Sequence, residues 1–406
     1  MLDWNNLYAS RMSRVVASDI REKMKLLGAR QIIQLGGGLP DPAIFPYDRI
    51  AEATTAILSD KARAKTALQY ASSEGHMPLR EWLVGYMKSL GVECGVENIL
   101  ITNGSQQGLD FVGKLLLSPG DVAMVEMPSF IGALRAFDVY EPRYVGLPND
   151  SAEWDAAKLE PAKFCYVGTD FRNPTGTAMT LEERHKLLDV MEALGTPILE
   201  DGCYEKLRYD GEDIPSLLAL SVQRNGGIEN SGVIYTSTFS KTIAPSMRVG
   251  WTVGPAAVIR KLTLIKQGAD LATSALNQMI LVDVVGQHLD EAVQTARTMY
   301  RARRDSMLRA MDEYFPDGMT WTRPEGGLYV WIELPEGVDG DEFAMRALTD
   351  KNVSVISGTS FYPQNAMRNT LRLSFSLATE EDAREGIRRL GELAREMTGQ
   401  RVSEPA

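Results

Sequence analysis

The chain has 406 residues, 44% of them apolar and 24% charged, which is enough for about two or three domains with deep cores and excludes wholesale disorder, a collagen-like repeat and a disulfide-stapled miniprotein. Its 43 Lys and Arg against 54 Asp and Glu give a net charge of -11, whose long-range field repels polyanions, so nucleic acid is not expected as a partner. Three Cys without a CxxC pair and three widely separated His leave little for a metal site or a Ser-His-Asp triad, so acid–base chemistry must rest on other residues.

The chain begins Met1-Leu2-Asp3-Trp4, with no basic segment leading into an apolar one, and no apolar run approaches the roughly 20 residues that span a bilayer. A cytoplasmic protein without a membrane partner is the expectation. Residues 1–45, which include Gly36-Gly37-Gly38-Leu39-Pro40, read as an arm that packs on a C-terminal lobe. Residues 46–285 read as a large α/β domain. From about 95 to 255 short β-branched runs alternate with longer amphipathic ones, the pattern of a parallel sheet covered by helices. The predicted strands are Asn98–Thr102, Val122–Glu126, Phe164–Thr169, Pro197–Asp201, Val233–Thr238 and Val249–Val253. Gln106–Leu117 and Leu181–Leu194 read as helices, the second opened by Thr180 with Glu183 three residues on, a capping-box pair. Near Gly268 the alternation gives way to a mostly helical stretch ending about Tyr314. A strand at Leu328–Glu333, a helix at Gly340–Thr349, a strand at Thr370–Ser376 and a closing helix from Thr379 follow, so residues 286–406 read as a smaller α+β domain.

Four polar clusters each fall just after a predicted strand. Thr102-Asn103-Gly104-Ser105-Gln106 is a Gly-containing turn into a helix, where free N–H groups and the dipole suit an anion; a plain N-cap at Ser105 accounts for it equally simply. It has neither Walker nor GxGxxG spacing. Asn173-Pro174-Thr175-Gly176 is ordinary turn chemistry on its own. Asp201, with Tyr204 beyond it, closes the apolar run Pro197-Ile198-Leu199, where a carboxylate needs a cation or donor; an Arg salt bridge or a protonated pyridine would each serve. Thr236-Ser237-Thr238-Phe239-Ser240-Lys241, with Arg248 seven residues on, delivers one Lys among phosphate-binding groups, although a surface Lys in a serine-rich loop is the commoner meaning of such a stretch. Gathered on one rim, the four clusters supply phosphate donors, an amide, a buried carboxylate, a phenol and a Lys, the set that pyridoxal phosphate chemistry needs.

The order of these pieces resembles fold-type I pyridoxal-phosphate aminotransferases of class I/II, most closely the 2-aminoadipate or multisubstrate branch. The likeness runs through Gly37-Gly38-Leu39-Pro40-Asp41-Pro42, Leu68-Gln69-Tyr70, Thr102-Asn103-Gly104-Ser105-Gln106-Gln107, Asn173-Pro174-Thr175-Gly176, Ser240-Lys241 and Leu371-Arg372-Leu373-Ser374. It implies a seven-stranded, mostly parallel sheet between helices and a ping-pong transfer of an amino group from an L-amino acid to a 2-oxo acid. It implies that Lys241 forms the Schiff base with the cofactor and shuttles the proton, that Asp201 pairs with the ring nitrogen, and that Tyr204 and Asn173 bond the ring hydroxyl. Phe130 would stack on the ring. Ser105, Gln106, Ser240 and Arg248 would hold the phosphate with Tyr70 from a second subunit, hence a homodimer. Arg372, near Asn173 and Gly38, would grip the substrate carboxylate, and Arg21 would reach a distal one.

Some positions depart from the family's pattern. Phe130 replaces a common Tyr, Gly202-Cys203 lies between Asp201 and Tyr204, Ser246 stands in place of a Gly, and Asp170-Phe171-Arg172 precedes the Asn-Pro-Thr-Gly turn. An ion pair between Asp170 and Arg172 is expected ahead of substrate contact. A lyase, decarboxylase, oxidase or synthase on the same scaffold is the alternative to transamination, with a non-catalytic sensor behind it. Dicarboxylic, aromatic and long aliphatic donors all stay open, with 2-oxoglutarate or pyruvate as acceptor.

Overall fold

The computed structural model describes residues 2–15 and 31–399. Its strands, in chain order, are β1 (Ile33–Gln34), β2 (Ile99–Thr102), β3 (Val122–Glu126), β4 (Arg143–Leu147), β5 (Cys165–Gly168), β6 (Ile198–Asp201), β7 (Val233–Thr238), β8 (Gly250–Val253), β9 (Thr320–Trp321), β10 (Tyr329–Glu333), β11 (Val353–Ser354), β12 (Ile356–Ser357) and β13 (Thr370–Ser374). Seven of them form one sheet in the order β2-β8-β7-β6-β5-β3-β4. All run parallel except β8, which is antiparallel to both of its neighbours.

This sheet is where the sequence pattern is plainest. β2, β5, β6, β7 and β8 are buried along their whole length because helices cover both faces, and β2, β6 and β7 read as apolar runs that turn polar at the carboxyl end. The six predicted strands are present, four of them shorter by one residue at one or both ends. β4 is the seventh and was not anticipated. It lies at the sheet edge with Arg143 exposed and Gly146 within it, so its apolar signal is broken. The helix Leu181–Leu194 opens on the expected reciprocal cap: Thr180 Oγ1 accepts the Glu183 amide at 3.2 Å and Glu183 Oε2 accepts the Thr180 amide at 2.8 Å.

A second sheet, β12-β13-β10-β9, is antiparallel and packs with the helices Gly340–Thr349 and Glu380–Thr398 around its own apolar core. β1 pairs in parallel with β11, which ties Leu35 into this second core. The 40-residue helix Ala275–Tyr314 feeds both cores, with Met279 and Leu281 in the first and Tyr300 and Met307 in the second. Among the described residues no helix is long and apolar enough to cross a membrane.

Candidate active site

The carboxyl ends of β6 and β7 are neighbours, and each hands one ionisable group to the same rim. Asp201 is the last residue of β6 and is buried. Its Oδ2 accepts the Tyr166 hydroxyl at 3.0 Å and its Oδ1 accepts the Cys203 amide at 3.2 Å. Burial raises this carboxyl above its ordinary range, against the Cys203 thiol, the Tyr166 hydroxyl and the charge of Lys241. Lys241 closes the 3-10 turn Phe239–Lys241 that follows β7. Its ammonium donates to the Gly38 carbonyl at 3.3 Å and lies 5.7 Å from the centre of the Tyr204 ring. The Tyr204 hydroxyl is 3.1 Å from that of Tyr329, and burial raises it strongly.

The anion end is built on the helix Ser105–Leu116, whose N-cap is Gly104 at φ 75, with no side chain capping the helix. A glycine is favoured there because φ 75 is a conformation that L side chains rarely adopt, and a Cβ would also push on Arg248 Nη2 at 2.7 Å. Arg248 donates to the Asn103 and Pro245 carbonyls at 3.1 and 3.2 Å and keeps its guanidinium exposed beside the helix end. Ser105 Oγ accepts the Cys203 thiol at 3.0 Å, and Ser240 Oγ lies 2.8 Å from Thr238 Oγ1. Gln106 donates to the Gly132 carbonyl at 2.6 Å, next to the Phe130 ring, and a Cβ on Gly132 would collide with both.

Arg372 reaches the rim from β13. Its Nη1 donates to Asn173 Oδ1 at 2.8 Å and its Nη2 to the Gly36 carbonyl at 2.6 Å, while the guanidinium lies against the rings of Tyr329 and Phe361. Its Nε is buried and has no hydrogen-bond partner among the described residues. A buried, incompletely satisfied guanidinium is poised for a carboxylate.

The expected Asp170–Arg172 pair does not form. Phe171 between them takes φ 48 and buries its ring, and the flanking side chains part. Asp170 binds Arg184 and Arg208 at 2.9 and 3.1 Å, whereas Arg172 faces Glu126 at 3.6 Å. Tyr70 is 81% exposed on this chain's surface. Arg21 lies outside the described residues. Sequence reasoning passed over Tyr166, Tyr329 and Glu126. Glu126 had a usable signal, since it ends the apolar run of β3 as Asp201 ends that of β6.

These features fit pyridoxal phosphate: a glycine-opened helix end flanked by an exposed guanidinium for the phosphate, a buried carboxylate held mainly by neutral donors for a protonated ring nitrogen, and an amine just past the end of the strand next to that carboxylate's.

The family model described as aminotransferase class I and II matches residues 31–390, and the chain belongs to that family. Aromatic-amino-acid aminotransferase 1 of Thermococcus litoralis is 37% identical over 97% of this chain and 95% of its own length. The 2-aminoadipate transaminase of Thermus thermophilus is 38% identical over 96% of this chain and 97% of its own. Among solved structures, the alpha-aminoadipate aminotransferase LysN from Thermus thermophilus, complexed with N-(5'-phosphopyridoxyl)-L-leucine, superposes with a TM-score of 0.89 at 36% identity, covering 98% of this chain and 100% of that one. The protein is thus a fold-type I, pyridoxal-phosphate-dependent aminotransferase that moves an amino group from an amino acid to a 2-oxo acid by a ping-pong mechanism.

Proposed function

We propose that the rim of β6 and β7 is the reaction centre and that the donors are 2-aminoadipate and aromatic amino acids, with 2-oxoglutarate as acceptor. The observation that carries the first part is the placement of the buried Asp201 carboxylate and the Lys241 ammonium at the ends of adjacent strands, close enough for one charge to act on the other. The names of the two relatives support the choice of donors, and the acceptor, 2-oxoglutarate or else pyruvate, follows from the family resemblance alone. When bound, pyridoxal phosphate supplies the electron sink that acidifies the substrate Cα–H bond. Asp201 keeps a positive charge on the ring nitrogen. Lys241 would hold the cofactor covalently in the resting enzyme, and its amine, once the substrate amine has displaced it, would take the Cα proton and deliver it to the cofactor's C4′ carbon. Tyr204 and Asn173 bond the ring hydroxyl, and Phe130 packs on the ring. Ser105, Gln106, Ser240 and Arg248 hold the phosphate. Arg372 binds the α-carboxylate, with Gly38 lining the same side, and Arg21 serves a distal acid.

The exposed Tyr70 completes the phosphate site of a second copy in a homodimer. Three free Cys support a cytoplasmic address. The chain is divided into an arm 1–45, a large domain 46–285 and a smaller C-terminal domain 286–406, the last boundary falling inside the long helix. Incubating the holoenzyme with a panel of amino acids and 2-oxoglutarate tests the substrate assignment. Stoichiometric oxo acid from 2-aminoadipate and aromatic donors is expected. Release of carbon dioxide, ammonia or peroxide instead would move the protein to the alternative chemistry, and a fully active monomer by light scattering would remove Tyr70 from the site.

A further inference from the structure

Behind the ring-nitrogen carboxylate lies a charge pair that the roles above leave unused. Glu126 is buried at the carboxyl end of β3, beside β5, and on the far side of β5 Gly168 stands opposite Asp201 of β6. Both Glu126 oxygens lie 3.3 Å from the Gly168 amide that donates to them, and Arg172 Nη1 is 3.6 Å from Oε2, beyond a hydrogen bond but close for opposite charges. Gly168 keeps the space open, since a Cβ there would lie 3.2 Å from Arg172 Cγ and 3.6 Å from Glu126 Oε1. Arg172 Nε is buried with no hydrogen-bond partner among the described residues, and the next residue is Asn173. The other ionisable groups that feel Glu126 are Cys165 and Tyr166 on β5 and Asp201 on β6; Asp201 in turn feels Cys203 and Lys241. Burial pushes Glu126 up to about 8, with Arg172 opposing and the Asp201 charge adding to the rise.

We propose that Arg172 and Glu126 are positioning residues that set the electrostatic potential at Asp201, Arg172 as a standing positive charge and Glu126 as the carboxyl that offsets it once ionised, and through it how readily the ring site holds a positive charge. The inference rests on Asp201 facing the cofactor ring nitrogen. Without the acid, an unneutralised guanidinium remains behind Asp201, draws on the same carboxylate and disfavours a further cation. Without the guanidinium a positive charge is gone whether or not Glu126 takes up a proton, so the ring site holds its cation more firmly. The two substitutions therefore act in opposite directions, which loss of packing alone does not do.

The test is the pH midpoint of the holoenzyme's visible cofactor band. Arg172→Gln is expected to raise it by roughly 0.5 to 1 pH unit, and Glu126→Gln to lower it by up to a similar amount, in full only where the parent carboxyl is ionised, above about pH 8. The double variant should return close to the parent, and Arg172→Lys, which keeps the charge, should stay there. If Glu126→Gln fails to fold, the contrast between Arg172→Gln and Arg172→Lys carries the decision. Midpoints that stay put, or that move the same way in both single variants, overturn the proposal. Asp201→Ala separates the two levels. A midpoint unmoved by Asp201→Ala removes the ring-nitrogen assignment itself, whereas a midpoint moved there but not by the Glu126 and Arg172 variants removes only the charge pair.

Discussion

The two sheets serve the site in different ways. The seven-stranded sheet contributes what lies at or just past its strand ends: Ser105 follows β2, Asp201 ends β6, and Ser240 and Lys241 follow β7. The C-terminal sheet contributes residues from within its strands, Arg372 from β13 and Tyr329 from β10, held by an antiparallel register in which Trp331 faces Arg372 and Tyr329 faces Ser374. At a strand end the backbone is free of the ladder, so amides and a helix terminus are available for an anion as well as side chains. Within a strand only the side chain is available, and its reach is fixed by register. On the proposed roles one sheet would hold the cofactor and the other the substrate carboxylate, so substitutions should separate the two functions.

Lys241→Ala gives the largest expected effect. It removes the amine that carries the proton, and turnover should fall by at least about 10³-fold. Asp201, Ser105 and Arg248 remain, so cofactor should still bind, now without the covalent link; the variant treated with borohydride should not retain it. Full turnover by this variant would end the assignment of the rim as the reaction centre. Arg372→Ala comes next and belongs to the other sheet. Loss of a desolvated charge partner predicts a fall in kcat/KM of roughly 10² to 10³-fold with the cofactor spectrum intact. Arg372→Lys should recover only part of it, because an ammonium cannot bind a carboxylate with a two-pronged fork. If Arg372→Ala instead strips the cofactor, the division of labour between the sheets fails.

The same contrast explains what could be read in the sequence. Strands buried on both faces gave runs such as Ile99–Thr102 and Ile198–Asp201, and the polar residue ending each run marked the rim. Asp201 was legible for that reason, whereas Lys241, three residues past the end of β7, was singled out over a plain surface Lys by the resemblance, which supplied the roles expected of both. The C-terminal sheet offered less: β9 and β12 are two residues long, too short for any periodicity, and they form because β10 and β13 are already there to pair with, while the equally short β11 pairs with β1. Tyr329 was inside a predicted strand, but nothing local marks it as the residue whose hydroxyl meets Tyr204, because that contact joins positions 125 residues apart. The Asp170–Arg172 expectation failed on a local point. Proximity in sequence suggested a pair, and the left-handed backbone at Phe171 sends the acid to Arg184 and Arg208 instead.

Where the two sheets touch, a smaller effect is expected. Tyr204→Phe keeps the ring under Lys241 and removes the hydroxyl shared with Tyr329. One neutral hydrogen bond corresponds to about tenfold in turnover. A Tyr329→Phe variant with the same loss, and a double variant no worse than either single one, would show that the two hydroxyls act as a unit. Additive losses would mean that each sheet acts on the ring hydroxyl independently.

The smallest effect concerns stability and lies just behind the rim. Glu205 follows Tyr204, and its Oε1 accepts the Tyr86 hydroxyl at 3.0 Å beside a small cavity lined also by Cys203, Ser237 and Trp251. Burial is the main cause that pushes its carboxyl up to about 7, with the Lys206 charge opposing. A carboxyl raised on folding favours the folded state only while protonated. Its contribution is complete below the unfolded value near 4.5 and is lost as pH rises through about 7. Because the residue is partly accessible, the cost of the charge at pH 8 is about 1 to 3 kcal/mol rather than the full value of the shift. Glu205→Gln keeps an acceptor for Tyr86 and carries no charge. Its melting temperature relative to the parent should therefore climb by a few degrees, roughly 2 to 5 °C, between pH 5 and pH 8. A difference that stays constant across that range would mean that Glu205 is ionised throughout and that the back of the rim is wetter than its packing implies.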